Sequence, residues 1–289
     1  MRPISKSIQE YGRGIIGGLL FSLPLLYTME VWWAGFSAHP LQLIIYVLAT
    51  FALLLGYNYF AGIRHDANWT EVMIDSVEEM GLGLMISSIA LLLLGRISLD
   101  MTMGEIVGKI TIEAMTVAIG VSVGTAQLGG EGADADTGEG DNQSRGAGGG
   151  KGSSQTGVHF GGQLVIAFCG AVLFAANVAP TEEIVMIASE ISSWNLLAIA
   201  LISITLGAII LFYLDFTGAQ QFAPATGLTA VIIGSVITYA IALAASAMIL
   251  WFFGRFDGQS LAICLAQTVV LGVAATFGAS AGRFLLQTK

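Results

Sequence analysis

Residues 226–253 read TGLTAVIIGSVITYAIALAASAMILWFF, with no Asp, Glu, Lys or Arg anywhere in the run. A helix of that length reaches about 42 Å at 1.5 Å per residue, more than the ~30 Å hydrocarbon core of a bilayer. Inside lipid the backbone must satisfy itself within one helix or within a closed barrel, and the run is too long for a barrel strand. It therefore reads as a membrane-spanning helix. Seven further apolar runs, at 14–34, 41–62, 76–95, 106–127, 160–180, 195–214 and 260–283, follow the same reading. The predicted fold is all-α, a polytopic transmembrane bundle of eight helices. Composition agrees: of 289 residues 55% are hydrophobic and 11% charged, with mean hydropathy +0.79. A soluble chain carries about 25% charged residues, so a soluble globular protein is excluded.

The net charge of −9 describes a loop more than a surface, because Glu131, Asp134, Asp136, Glu139 and Asp141 crowd into one Gly- and Ser-rich stretch. Cys169 and Cys264 both sit inside apolar runs, which argues against a disulfide framework. The polar start, with Arg2, Lys6 and Arg13, leads into a run without a small-residue cleavage site and reads as a retained first span. With the N-terminus inside, cytoplasmic segments hold Arg2, Lys6, Arg13, Arg64, Arg145, Lys151, Arg283 and Lys289, against Arg96, Lys109 and Arg255 outside. The positive-inside rule then places both termini and the central loop in the cytoplasm of a cell inner membrane. Trp32, Trp33, Trp69, Trp194 and Trp251 fall near span ends, where indoles prefer the interface.

Four stretches recur in order. Gly17-Gly18-Leu19-Leu20 matches Gly161-Gly162-Gln163-Leu164, and Tyr57-Asn58-Tyr59-Phe60-Ala61-Gly62 matches Tyr213-Leu214-Asp215-Phe216-Thr217-Gly218. Leu94-Gly95-Arg96-Ile97 matches Phe253-Gly254-Arg255-Phe256, and the Thr116–Val121 stretch matches Thr268–Val273. This predicts a four-helix repeat over 1–126, a flexible linker over 127–158 and a second four-helix repeat over 159–289. An even number of spans per unit makes the repeats parallel, with a substrate site between the halves. Gly120 with Gly124, and Gly278 with Gly282, are spaced for close helix packing.

Carboxylates at membrane depth cost at least about 2.5 kcal/mol each at a helix centre, so they face an interior, a cavity or a partner. Glu30 follows Pro24, and Glu182 and Glu183 follow Asn177 and Pro180; both stretches pair a helix-breaking proline with an acid. Freed carbonyls beside a carboxylate suit Ca2+ or another hard cation. The ordinary alternative is that these acids are the solvated outer ends of two spans. Glu113 stands one turn after Lys109, so it is either half of an intrahelical pair or a cation or proton relay. Its repeat partner is Leu265, with Gln267 nearby. Asp75, Glu78 and Glu79 share a face at the predicted inner start of the third span, favoured there by the helix dipole or forming a cation-gathering mouth with Asp215 at comparable depth. Arg96 and Arg255 serve either as charge partners of the outer acids or as interface anchors.

Several motifs fail. The string Gly129-Gly130-Glu131-Gly132-Ala133-Asp134 fits the first six places of a calcium-binding nonapeptide, but Asp136 stands where the large apolar residue belongs and a single occurrence cannot stack. No EF-hand starts at Asp134, and Gly150-Lys151 lacks the first glycine and the hydroxyl residue of a phosphate loop. His39, His65 and His159 have no partner at metal-ligand spacing. No enzyme is expected.

At Leu23-Pro24-Leu25-Leu26-Tyr27-Thr28-Met29-Glu30-Val31-Trp32-Trp33, at Leu91–Ile97, at Glu105–Lys109 and at Asn177–Glu183, the chain resembles a family of bacterial integral membrane proteins of unknown function. The likeness covers most of the chain apart from the central loop and implies a multi-span membrane protein without an assigned substrate. The Asn177–Glu182 stretch also resembles the acidic repeat motif of cation exchangers, over about six residues only. Parallel repeats argue against that kinship, since such exchangers are built from inverted units.

The expectation is an ion-transport protein, a cation channel or exchanger, with Glu30, Glu182 and Glu183 at an outer site and Glu113, Asp75, Glu78 and Glu79 along the path. Its expected partners are the lipid bilayer, an inorganic cation or proton, and a second copy of the chain in a homo-oligomer; nucleic acid and cofactors other than a bound cation have no place. The alternative is a non-transporting sensor or scaffold that binds a cytoplasmic partner through the central loop.

Overall fold

The computed structural model describes residues 4–62, 68–98, 100–127, 160–213 and 228–285. The expected linker beyond Gln127, together with Arg2, Arg64, His65, Arg145, Lys151, His159, Asp215 and Lys289, lies outside the described residues. The described chain is helical throughout: α1 (Ile4–Leu26), α2 (Met29–Ser37), α3 (Pro40–Ala61), α4 (Trp69–Leu93), α5 (Met103–Gln127), α6 (Phe160–Ala176), α7 (Glu182–Glu190), α8 (Ser193–Tyr213), α9 (Leu228–Phe252) and α10 (Leu261–Leu285).

Among the described residues ten helices stand where eight were expected, because the first run is broken into α1 and α2 and a further short helix, α7, forms between the fifth and sixth runs. Pro24 lies in the last turn of α1, the Thr28 hydroxyl donates to the Pro24 carbonyl at 2.7 Å, and α2 leaves at 86° to α1. After α6 the chain turns through Asn177 to Pro180 before α7 begins. Among the described residues six helices are long and apolar enough to cross a membrane, and the bent α1–α2 pair makes a seventh if it is counted as one span. The apolar α6 has 17 residues, roughly 25 Å of rise, and falls short of a full crossing.

Helix ends follow local chemistry. His39 caps α3 in a reciprocal capping box with Gln42, with Pro40 as the first helical residue. The Thr102 backbone donates to the Glu105 carboxylate at 3.0 Å at the start of α5. After α4, Gly95 takes φ +65° and the Arg96 amide returns to the Leu91 carbonyl; after α9, Gly254 takes φ +66° and the Arg255 amide returns to the Leu250 carbonyl. Both are the left-handed glycine termination that frees a helix to stop without orphaning its last carbonyls.

Two helices are central. α5 is wrapped by α1, α2, α3 and α4, and α10 by α6, α7, α8 and α9. The halves meet where α3 packs on α6, and where Tyr46 stacks on Phe252 at 3.9 Å between ring centroids. The expected packing at Gly120 and Gly124 is present: both face Gly17 across the α1–α5 crossing, while Gly278 meets the Gly170 backbone across α6–α10. Small residues let backbones approach, which is how helices gain contact in lipid. At Gly83 a Cβ would lie 2.6 Å from the Ala114 carbonyl and 2.9 Å from the Ala118 methyl. Gly83→Ala is therefore expected to separate α4 from α5 at a cost of about 1–3 kcal/mol, read as a lower denaturant midpoint in micelles; an unchanged midpoint would contradict this crossing.

Candidate functional site

Local sequence brings four polar side chains from three helices together below Gly83. Asn58, in the last turns of α3, points inward with Tyr57 in an otherwise apolar helix. On α4, Ser76 and Glu79 lie three residues apart, hence on one helical face, and both are buried. Ser122 comes from α5. The Asn58 amide donates to Glu79 Oε2 at 2.7 Å and to Ser76 Oγ at 3.1 Å, while Ser122 Oγ donates to Asn58 Oδ1 at 3.1 Å. Ser76 Oγ donates to the Val72 carbonyl at 2.8 Å. Burying a carboxylate is tolerable only with a donor, and here the neighbouring α3 supplies it through Asn58.

The sequence placed Asp75, Glu78 and Glu79 together at a helix start. The structure corrects this: α4 begins at Trp69, so Glu71 is the acid of its first turn, and Glu79 lies ten residues in, roughly 15 Å along the axis. The helix dipole no longer accounts for them, since its influence fades within one turn. The three also separate by facing. Glu79 is 8% exposed, Asp75 half-buried and Glu78 exposed, where Tyr11 Oη approaches its Oε2 at 3.5 Å.

Glu113 sits further along α5, nine residues from Ser122 and roughly 13 Å away along the helix axis. It has no exposed surface, and neither carboxylate oxygen has a hydrogen-bond partner. The expected pair with Lys109 is absent. Lys109 Nζ instead turns to the Arg96 carbonyl at 3.1 Å and the Met101 sulfur at 3.6 Å. One turn beyond Glu113, Thr116 shares a 3.0 Å hydrogen bond with the Tyr46 hydroxyl of α3. Glu113 thus lies one turn from an α3–α5 contact, and Glu79, on α4, reaches the same α3 through Asn58. Thr50 continues the buried face of α3 between them, and Leu54 and Ile119 separate the two polar ends with apolar surface.

The outer acids are placed differently. Glu30 is half-buried in the first turn of α2, and Glu182 and Glu183 are exposed in the first turn of α7. Those two short helices pack on α5 and α10 respectively, in separate halves. Arg96 lies over the Trp32 ring at 4.0 Å, and the Trp32 indole donates to the Leu26 carbonyl at 3.2 Å, so its contact is aromatic rather than acidic. Arg255 is half-buried, with its Nε unpartnered.

Asn177 is fully engaged by backbone. Its Nδ2 donates to the Phe21 carbonyl at 2.9 Å and the Leu173 carbonyl at 2.7 Å, and its Oδ1 accepts from the Leu25 amide at 3.1 Å. In an unbroken helix Leu25 would bond Phe21 directly; the Asn177 amide stands between them and bridges the break in α1 from the other half of the chain. Asn58, Ser76 and Ser122 were not singled out from sequence. The available signal was Asn58, an amide inside an apolar span, together with the three-residue spacing of Ser76 and Glu79.

Among the described residues no three His, Cys, Asp or Glu side chains converge as a metal centre. The strings Gly120-Val121-Ser122-Val123-Gly124 and Gly278-Ala279-Ser280-Ala281-Gly282 lie within α5 and α10, not at the strand-to-helix turn that exposes a nucleophilic serine. A cavity of about 80 Å³ opens between α3, α6 and α9, lined by Tyr46, Thr50, Phe168, Val172, Met248 and Phe252 among others.

No curated protein and no solved structure matches the chain. A family model described as "Putative integral membrane protein (DUF2391)" matches residues 10–286. With six to seven helices fit to cross a bilayer and the match extending over nearly the whole sequence, the chain belongs to this family of integral membrane proteins.

Proposed function

We propose that the protein transports a cation or proton, as a channel or exchanger, along the seam between α3 and α5. The observation that carries this reading is Glu113, a fully enclosed carboxyl group in a membrane-spanning helix with no donor on either oxygen. A charge held there without a partner is costly, so the group needs a proton or a cation, and intramembrane acids of this kind mark ion pathways. Glu79 supplies a second carboxylate deeper along the seam. Glu30, Glu182 and Glu183 would form the outer approach, and Asp75 and Glu78, on the outward turns of α4, the inner one. No catalysis and no cofactor other than the carried ion enter this reading.

The architecture would be two parallel units, each a broken first span followed by three long helices. Register supports this. The starts of α2 and α7 and of α3 and α8 are offset by 153 residues, both ends of α4 and α9 by 159, and both ends of α5 and α10 by 158. At these offsets Gly17 falls on Gly170, Glu30 on Glu183, Ser76 on Ser235, Ser87 on Ser246, Gly95 on Gly254, and Gly120-Val121-Ser122-Val123-Gly124 on Gly278-Ala279-Ser280-Ala281-Gly282. Glu113 then pairs with Leu271 and Lys109 with Gln267, in place of the Leu265 partner read from sequence. Glu79 pairs with Thr238, so the second half carries no matching carboxylate. Both termini would face the cytoplasm of a bacterial inner membrane, from the Lys and Arg balance.

Purified protein in liposomes is expected to conduct at least one cation of a panel of H+, Na+, K+ and Ca2+ above protein-free vesicles, with an imposed proton gradient as control. Absence of any flux would remove the transport reading. A second reading, a non-transporting sensor or scaffold, is favoured by one feature: the cavity between the halves is almost wholly apolar.

A further inference from the structure

We infer that Asn58, Ser76, Glu79 and Ser122 form a binding site for a small alkali cation, of which sodium is the physiological form. This deepens the transport reading by naming the ion, and it rests on that reading for its purpose, though its chemistry stands on the cluster alone.

Three helices contribute: the Glu79 carboxylate and the Ser76 hydroxyl from α4, the Asn58 amide oxygen from α3 and, fixing that amide from behind, the Ser122 hydroxyl from α5. The Asn58 nitrogen occupies the middle of this group, 2.7 Å from Glu79 Oε2 and 3.1 Å from Ser76 Oγ. It fills the place where the oxygens need a positive partner. Turning the amide about its last torsion exchanges nitrogen for oxygen there, a soft rotation for a planar terminal group. The cup then presents the Asn58, Ser76 and Glu79 oxygens to one point, and the amide nitrogen turns to Ser122 Oγ, which accepts from it and holds the turned amide. A cation replaces the two lost N–H bonds.

Charge count selects the ion. The cup holds one formal negative charge, so a monovalent cation leaves it neutral, while a divalent cation would leave a net positive charge enclosed among α3, α4 and α5. Calcium sites draw six to eight oxygens, commonly from several carboxylates, and this cup offers fewer ligands with a single acid. Hard oxygen ligands without thiol or imidazole exclude the softer transition metals. The close approach of α4 to α5 at Gly83, one turn from Glu79, keeps the cup small.

The test is binding of radioactive sodium, supplied as NaCl, to the purified full-length protein in detergent, with choline chloride holding ionic strength constant. The expected result is saturable binding of about one sodium per chain, competed by lithium, with affinity at least tenfold weaker in Ser122→Ala and binding lost in Glu79→Gln. Ser122→Ala removes only one hydroxyl, so it keeps the test open if the Glu79 variant fails to fold. Absence of saturable sodium binding in the folded wild type, or undiminished affinity in both variants, overturns the site. The transport reading fails separately: sodium binding without flux in liposomes would remove transport and leave the site, and flux without sodium binding would do the reverse.

Discussion

Glu113→Gln is expected to reduce cation flux in liposomes roughly 100-fold while leaving the protein folded. The carboxylate is the only formal negative charge the transport reading places in the outer half of the seam. Without it a cation crossing that depth loses a partner whose absence costs about 2.5–3.5 kcal/mol in a membrane interior, and each 1.4 kcal/mol on the barrier is about tenfold in rate. Folding should not suffer, because the carboxylate makes no hydrogen bond that glutamine would break. A merely structural Glu113 predicts the opposite pattern, unchanged flux with altered stability. Flux in Glu113→Gln within a factor of two of wild type would sink the assignment of this residue to the path.

Asn177→Leu is expected to destabilise the fold by about 3 kcal/mol, measured as the free energy of reversible unfolding in mixed micelles. The substitution keeps the side chain's heavy-atom branching and removes every polar atom, taking away the side-chain acceptor of the Leu25 amide and the side-chain donor of the Phe21 carbonyl. Each unsatisfied buried backbone group costs about 1–3 kcal/mol, and lipid offers no water as a substitute. Asn177→Asp should fall between, since it keeps the acceptor for Leu25 and loses both donated bonds. A leucine variant as stable as wild type would show that the break in α1 satisfies itself without the other half of the chain.

The long helices and their closures were legible along the chain. Uncharged runs such as 226–253 leave the backbone no alternative to helix, and Gly95-Arg96 with Gly254-Arg255 marked two helix ends that glycine terminates in the same way. The spacing of Gly120 and Gly124 announced a close crossing without naming its partner, which is Gly17. Helix boundaries were less legible where charge and helix coincide. Hydropathy started the third span at residue 76, among the acids, yet the helix begins at Trp69, because a helix continues past the apolar core wherever nothing breaks it. The short helix α2 was folded into the first run, since hydropathy does not register a bend, and α7 fell between the fifth and sixth runs because its acids lower its hydropathy.

The candidate site was legible only in part. Glu113 and Glu79 stood out as acids within or beside apolar runs, but so did Glu78, Glu182 and Glu183, which prove exposed. Asn177 drew notice three residues before a proline and five before an exposed acid; its bonds run to Phe21 and Leu25, more than 150 residues away in sequence. By itself the sequence determined that the chain lies in a membrane, that it is helical, and which carboxylates must answer for their depth, since each follows from the cost of bare backbone or charge in hydrocarbon. Only the tertiary structure decided which of those carboxylates faces inward and what it meets there. Neighbouring residues such as Glu78 and Glu79 are alike in composition and hydropathy, and their environments differ because α3 and α5 cover one side of α4 and leave the other side open.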